Sequence, residues 1–247
     1  RRDLDAVHLY HLHTGGPASF ADPDVSPRIR SVSFFVGPHL REAVAEGRAD
    51  FMPVFLSDIP SLFATSLRLD VALVQVAPPD RHGMCSLGTS VDIARAAVDH
   101  AHIVLAEIND QMPRTHGNTA IPLSRIHAFV HTNRPLHAAP PIVPTEIDRA
   151  IGERVAALVE DGATLQAGIG AIPDAVLARL GNRLELGLHT EMFSDGMIPL
   201  LENGVITNTH KSVHPGRSVT SFVSGSQRLF DLVNDNPSIE FHGCDRT

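Results

Sequence analysis

The chain has 247 residues, 43% of them hydrophobic, with no Trp, one Tyr and a formal net charge of −8. That length can bury a substantial, mostly aliphatic core, and the acidic balance without a long Lys/Arg run argues against a nucleic-acid backbone as partner. Cys85 and Cys244 are the two cysteines. They form neither a disulfide framework nor a CxxC metal site, so a reducing cytoplasm is the natural reading. No apolar run reaches the roughly 18 residues of a membrane span, and no apolar segment of a signal peptide follows "RRDLDAV".

Strand-like and helix-like runs alternate along the chain. "AVHLYHLH" (6–13) and "VSFFVG" (32–37) read as strands. "PHLREAVAEG" (38–47) reads as a short helix ending on Gly47. "DFMPVF" (50–55) is a strand or turn, and "SDIPSLFATS" (57–66) is a helix with Ser57 or Asp58 as its N-cap. "DVALVQVA" (70–77) is apolar almost throughout, which predicts a strand buried on both faces. An amphipathic helix (90–101), a buried strand (102–108) and a strand at 125–132 follow. "HAAPPIVPTE" (137–146) reads as an extended linker, and a domain boundary is placed near residue 143.

Beyond it, Thr145 and Asp148 predict a capped helix start. Ile147, Ile151, Val155, Ala156 and Leu158 predict its apolar stripe, and Gly162 its end. "ATLQAGIGAIPDAVLARLG" (163–181) is strand, Gly-rich turn and helix. "LELGLHTEMFSDG" (184–196) is strand and turn. "VTSFVSGSQRLFDLVNDN" (219–236) is strand, turn and helix. Alternating units predict an α/β fold with largely parallel sheets.

Five stretches carry candidate chemistry. Gly168 and Gly170 lie where a strand meets a helix, so backbone N–H groups there can face an anion or a carbonyl oxygen gaining charge. Pro173 fits the first helical turn. The segment is neither GxGxxG nor a Walker motif, and a tight turn without ligand is the alternative. Glu191 sits at a strand tip one βα unit later, where open α/β folds place ligands. It is either a solvated loop acid or a carboxylate nucleophile toward an activated acyl group. His8, His11 and His13 occupy one strand, but it supplies at most two ligands to a face, so no metal is expected there. In the polar loop 109–121, Arg114 is the natural anion contact. Cys85, near His82, is either a nucleophile or an inert buried thiol.

The stretches "SFFVGPHLREAVAEGRADFMPVFLSDIP", "APPDRHGMCSLGTSVD", "EINDQMPRTHG", "GIGAIPDAV" and "GLHTEMFSDGMIPLLENGVITN", in this order over nearly the whole chain, resemble the acetyl-CoA hydrolase/transferase family, in particular its 4-hydroxybutyrate CoA-transferase-like group. The resemblance implies two α/β lobes of CoA-transferase type, here 1–143 and 144–247, with the start of the first and the end of the second missing. The family's later glycine-rich loop does not occur before Thr247. The resemblance also implies that Glu191 is the catalytic nucleophile and that Gly168, Ile169, Gly170, Ala171 and Ile172 form the coenzyme A-binding loop. The expected activity is CoA transfer between an acyl-CoA and a small carboxylic acid through a glutamyl-CoA thioester. No metal, nucleic acid or membrane is expected, and the expected assembly is a cytoplasmic homodimer. The alternatives are acyl-CoA hydrolysis with the same nucleophile, an enzyme of another class on a similar fold such as a sugar-phosphate isomerase, and a non-catalytic CoA-binding subunit.

Overall fold

A computed structural model describes residues 6–138 and 142–247. The readings of residues 1–5 and of the centre of the Pro-rich linker at 139–141 lie outside the described residues. Contacts divide the chain between Ile59 and Pro60.

The first unit holds β1 (Val7–His11), β2 (Ile29–Ser33), α1 (Arg41–Ala45) and β3 (Ala49–Phe51). Its strands pair in parallel in the order β1-β2-β3, with Val7 opposite Ile29 and Ser31 opposite Ala49. Leu40, Ala43, Ala49 and Ala21 form a small apolar core. The strand expected at 32–37 lies earlier, because Ser33 Oγ turns the chain by donating to the Phe35 carbonyl. The helix expected from residue 38 opens as a 3-10 turn at Pro38–Leu40, so only Arg41–Ala45 is α-helical. Gly47, at φ +72°, follows its end as expected. Ser57 and Asp58 belong to a 3-10 turn that runs into α2 (Ile59–Thr65).

The second unit contains β4 (Val71–Val76), β5 (Met84–Ser86), α3 (Ala94–His100), β6 (Ile103–Asn109), β7 (His116–Gly117), β8 (Ala120–Pro122) and β9 (Ala128–Thr132). After the Pro-rich segment come α4 (Glu146–Ala156), β10 (Thr164–Leu165), α5 (Ala171–Leu177), β11 (Gly187–Leu188), β12 (Met192–Phe193) and α6 (Ile198–Glu202). β13 (Ser218–Thr220), β14 (Phe222–Val223), α7 (Gln227–Val233) and β15 (Ile239–Phe241) complete it. The pairs within the sheets β4-β6-β9, β13-β15-β7, β10-β11 and β12-β14 are all parallel, and β5-β8 is antiparallel. This is the α/β class with largely parallel pairing that alternating elements predict. One apolar cluster joins Val76, Val104 and Ile108 to Leu188, Phe193 and Phe241.

Two burial expectations are corrected. β4 is not buried on both faces: Ala72 and Val76 face the core, while Leu73 stays 68% exposed. Strand alternation puts the two sets on opposite sides, and among the described residues no layer covers the second side. Phe129 and Val130 of β9 are exposed as well. On β6, Glu107 accepts from Arg134, Gln75 and Thr132, and these bonds overcome burial to hold its carboxyl at about 2. The second correction concerns α4. Its Thr145/Asp148 capping box forms as expected, but Ile147 and Leu158 of the predicted stripe are exposed. Of that stripe Ala156 is buried, and α4 is held there and at Gly152, outside the stripe, where an added Cβ would lie 2.7 Å from the Ala175 backbone of α5. The helix also ends at Ala156, ahead of Gly162.

Candidate active site

The glycine turn and Glu191 are brought together by strand pairing. β10, which feeds the turn, lies beside β11, which leads toward Glu191. His189 N donates to the Leu165 carbonyl at 2.9 Å, and Thr190 N donates to the Val219 carbonyl at 2.9 Å. Between these strands Thr190 is fully buried. Its Oγ1 donates to the Ala167 carbonyl at 2.7 Å and accepts from Ala167 N at 3.1 Å. One hydroxyl thus fastens the residue before Gly168 to the residue before Glu191.

Across the loop itself, Gly170 has φ +125°, a conformation that glycine adopts without a Cβ penalty. An added Cβ there would meet nothing within 4 Å, so the backbone faces open space. Ile169 and Ile172 are partly exposed at the loop's rim. Ala171 and Ile172 begin α5, with Pro173 in its first turn as expected.

Glu191 occupies the hinge between β11 and β12. Its carbonyl accepts from Ser221 N at 2.9 Å, Phe222 N at 3.1 Å and Thr220 Oγ1 at 3.0 Å. Three donors on one carbonyl leave this part of the backbone little freedom, so the side chain is presented from a fixed base. The turn after it is held as well. Ser194 Oγ donates to Asp174, and Asp195 accepts from Ser226 N and Oγ at 2.8 and 2.7 Å. Burial, and then the negative charge of Asp92, push the Glu191 carboxyl above the ordinary glutamate range. It is therefore not a freely solvated loop acid.

Asp92 enters from the "SLGTSVD" segment. Val91 N donates to the Ser221 carbonyl, and Val223 N donates to the Thr89 carbonyl. The Asp92 carboxylate is buried and accepts from Ser90 Oγ and from the Ile93 and Ala94 amides. Cys244 N donates to the Asp92 carbonyl, and burial followed by the nearby acids pushes the Cys244 thiol up to about 12, so it stays protonated. Sequence reasoning missed Asp92 as an individual site residue. Its distance along the chain from Glu191 hides the pairing, and only its place in the quoted segment gave a signal.

The loop 109–117 packs on the same segment. Thr115 Oγ1 donates to the Gly88 carbonyl at 2.8 Å, and a Cβ on Gly88 would strike Met112. Arg114 is not an unengaged anion contact: its guanidinium donates to Asp80 at 2.8 Å. Cys85 is fully buried, and burial pushes its thiol up, which removes thiolate chemistry. The strand histidines do not converge. His8 stacks on Tyr10, His11 Nε2 pairs with Ser31 Oγ at 2.9 Å, and His13 lies against Phe35. Among the described residues, His214, Glu240 and His242 bring three ligand atoms within 4.8 Å of one another.

Thr190→Val keeps the shape of the side chain and removes the hydroxyl. The part-buried Ala167 N–H and C=O would then lose this partner, at a cost of about 1–2 kcal/mol. A thermal melt is expected to fall by several degrees, and any Glu191-dependent turnover about tenfold or more.

The family model described as the acetyl-CoA hydrolase/transferase N-terminal domain matches residues 10–144. A succinyl-CoA:acetate/propanoyl-CoA:succinate CoA transferase of Fasciola hepatica is 47% identical over 246 residues, which is 99% of this chain and 51% of the relative. A 4-hydroxybutyrate coenzyme A transferase of Clostridium kluyveri is 44% identical over 240 residues, 97% of this chain and 56% of the relative. The crystal structure of RipA from Yersinia pestis matches with a TM-score of 0.95 at 31% identity, over 99% of this chain and 59% of that one. A 4-hydroxybutyrate CoA-transferase structure from Porphyromonas gingivalis matches with a TM-score of 0.82 at 33% identity, over 98% of this chain and 64% of that one. The chain spans about half the length of the curated relatives it matches.

Proposed function

We propose that this chain, which belongs to the acetyl-CoA hydrolase/transferase family, is the Glu191-bearing part of an enzyme that moves coenzyme A between an acyl-CoA and a small carboxylic acid. In this reading a Glu191 carboxylate oxygen attacks the thioester carbonyl, and the C–S bond breaks to give an acyl-glutamyl anhydride and CoA thiolate. The thiolate then attacks the glutamyl carbonyl and expels the acyl group as a carboxylate, leaving a glutamyl-CoA thioester. An incoming carboxylate reverses both steps and departs as a new acyl-CoA.

The observation that carries the reading is the Thr190 tie, which sets the open Gly168–Ile172 backbone beside the strand end that presents Glu191. A carboxylate nucleophile needs no separate base. It does need donors for the carbonyl oxygen as charge develops, a role suited to the amides of Gly168 and Gly170. Partial burial strips water from the carboxylate, and the neighbouring Asp92 charge makes the anion less comfortable than the neutral anhydride that replaces it. Hydrolysis is the competing fate of the same anhydride when water reaches it. A two-lobed chain divided near residue 143, acting as a cytoplasmic homodimer without a catalytic metal, completes the reading.

The test is reduction of the acyl-enzyme. The full-length protein is mixed with acetyl-CoA, treated with borohydride and mapped by peptide mass. The glutamyl-CoA thioester is reduced to an alcohol, so a loss of mass confined to Glu191 and dependent on acetyl-CoA is expected. No change at Glu191, with bound CoA demonstrated, would overturn the reading in favour of a non-catalytic CoA-binding subunit. CoA release that does not require a carboxylate acceptor would assign hydrolysis rather than transfer.

A further inference from the structure

We infer that His214, Glu240 and His242 form a binding site for a divalent zinc-class ion, separate from Glu191 and the glycine loop. The strand β15 places Glu240 at its centre, in register with Val219 of β13 and His116 of β7. His242 follows two residues later and so projects from the same side of the extended chain. His214 comes from the loop between α6 and β13. There it takes a left-handed backbone conformation, φ +52°, that histidine adopts uncommonly. The loop is anchored from beneath by Lys211, whose buried Nζ donates to the Leu188 and Arg217 carbonyls at 2.7 and 2.6 Å.

One carboxylate oxygen serves both rings. Glu240 Oε2 lies 2.7 Å from His214 Nδ1 and 3.2 Å from His242 Nε2. The two ring centroids are 5.0 Å apart. The other oxygen, Oε1, is engaged by Arg217 Nε at 3.2 Å. Arg217 thus fixes the carboxylate and leaves Oε2 directed at the histidines. Ligand atoms about 2.0–2.1 Å from a tetrahedral ion lie about 3.4 Å from one another. The 2.7 Å Glu240–His214 spacing needs to open by about 0.7 Å and the 3.2 Å Glu240–His242 spacing by about 0.2 Å, and the ion would replace the shared protons. The side chains are 12–32% exposed, so an ion and a water in the fourth position can enter.

Two imidazoles and one carboxylate suit zinc and its transition-metal neighbours. They do not suit magnesium or calcium, which take oxygen ligands. The Arg217 charge opposes the cation, so the expected Kd is on the order of 10⁻⁶ M rather than the far tighter value of a four-ligand structural site. Bound there, the ion would cross-link the loop before β13 to β15 and to the chain that leaves it toward Cys244. Its role would be to brace the frame, not to activate substrate.

The test uses full-length protein stripped with a chelator and titrated with zinc chloride by calorimetry, with bound zinc counted by mass spectrometry. One zinc per chain and a rise in melting temperature that magnesium does not give are expected. His214→Ala and His242→Ala should each weaken zinc binding tenfold or more. Unchanged affinity and stoichiometry in the double variant, or no binding to the parent protein, would overturn the inference. If the alanine variants fail to fold, cobalt addition to the parent protein decides. Intense visible bands of four-coordinate cobalt at one equivalent are expected, and their absence overturns the site.

Discussion

On the proposed mechanism, Glu191→Ala is expected to lower CoA transfer by about 10³-fold or more, because it removes the carboxylate that this mechanism uses to form the covalent intermediate. Circular dichroism should be unchanged, since the structural bonds at this position are made by the Glu191 carbonyl and not by its side chain. Glu191→Asp withdraws the carboxylate by one methylene and should retain little more activity, because nucleophilic attack tolerates misplacement of about 1 Å poorly. Transfer near the parent rate in either variant would remove Glu191 from the mechanism.

Glu191→Gln separates function from stability. The folded carboxyl titrates above its unfolded value because of burial and Asp92. Its stabilising contribution is therefore complete below the unfolded value of about 4.3 and is lost as pH rises through the folded value. At neutral pH the ionised side chain destabilises the fold, and glutamine never ionises. The Gln variant should be inactive, yet melt higher than the parent at pH 7–8. The difference should vanish below about pH 4.3. An unchanged melt at pH 7–8 would mean that the carboxylate is solvated. The same profile predicts that the acidic limb of kcat/KM lies above the ordinary glutamate range.

Gly117→Ala is expected to produce the largest loss of stability. Gly117 has φ +98°, and an added Cβ would lie 2.4 Å from the Phe241 carbonyl oxygen and 2.7 Å from Phe241 N. Phe241 is fully buried, pairs in register with Gly117, and its carbonyl also accepts from Asn118 N at 2.7 Å. Neither backbone can retreat without opening β7-β15. The expected cost is about 3–5 kcal/mol, or roughly 10 °C in a calorimetric melt. Gly181→Ala is the control. It meets nothing within 4 Å, so it should stay within about 0.5 kcal/mol of the parent. Equal melts for the two variants would show that the close approach at β7 is relaxed in solution.

The β and α alternation, the Thr145 capping box, the Gly47 helix end and the strand–glycine turn–helix at 163–181 were legible locally, because each rests on interactions within a few residues. The resemblance of ordered motifs reached further, and it carried the family. What periodicity could not supply was the identity of a neighbour. An apolar stripe states which face of α4 favours burial, but Gly152 and Ala156 decide where it packs, because only small residues let it approach α5. The run at 70–77 is apolar on both faces, yet only the face of Ala72 and Val76 meets the core. Arg114 looked available until the fold set it beside Asp80.

By itself, then, the sequence determined the element order, the α/β class and the family. Only the tertiary structure decided the Thr190 bridge, the approach of the Asp92 charge to Glu191, and the meeting of His214 with Glu240 and His242. The physical reason is that these are contacts between distant strand ends, governed by sheet register. Nothing in a local window of residues encodes which strand will lie next to which.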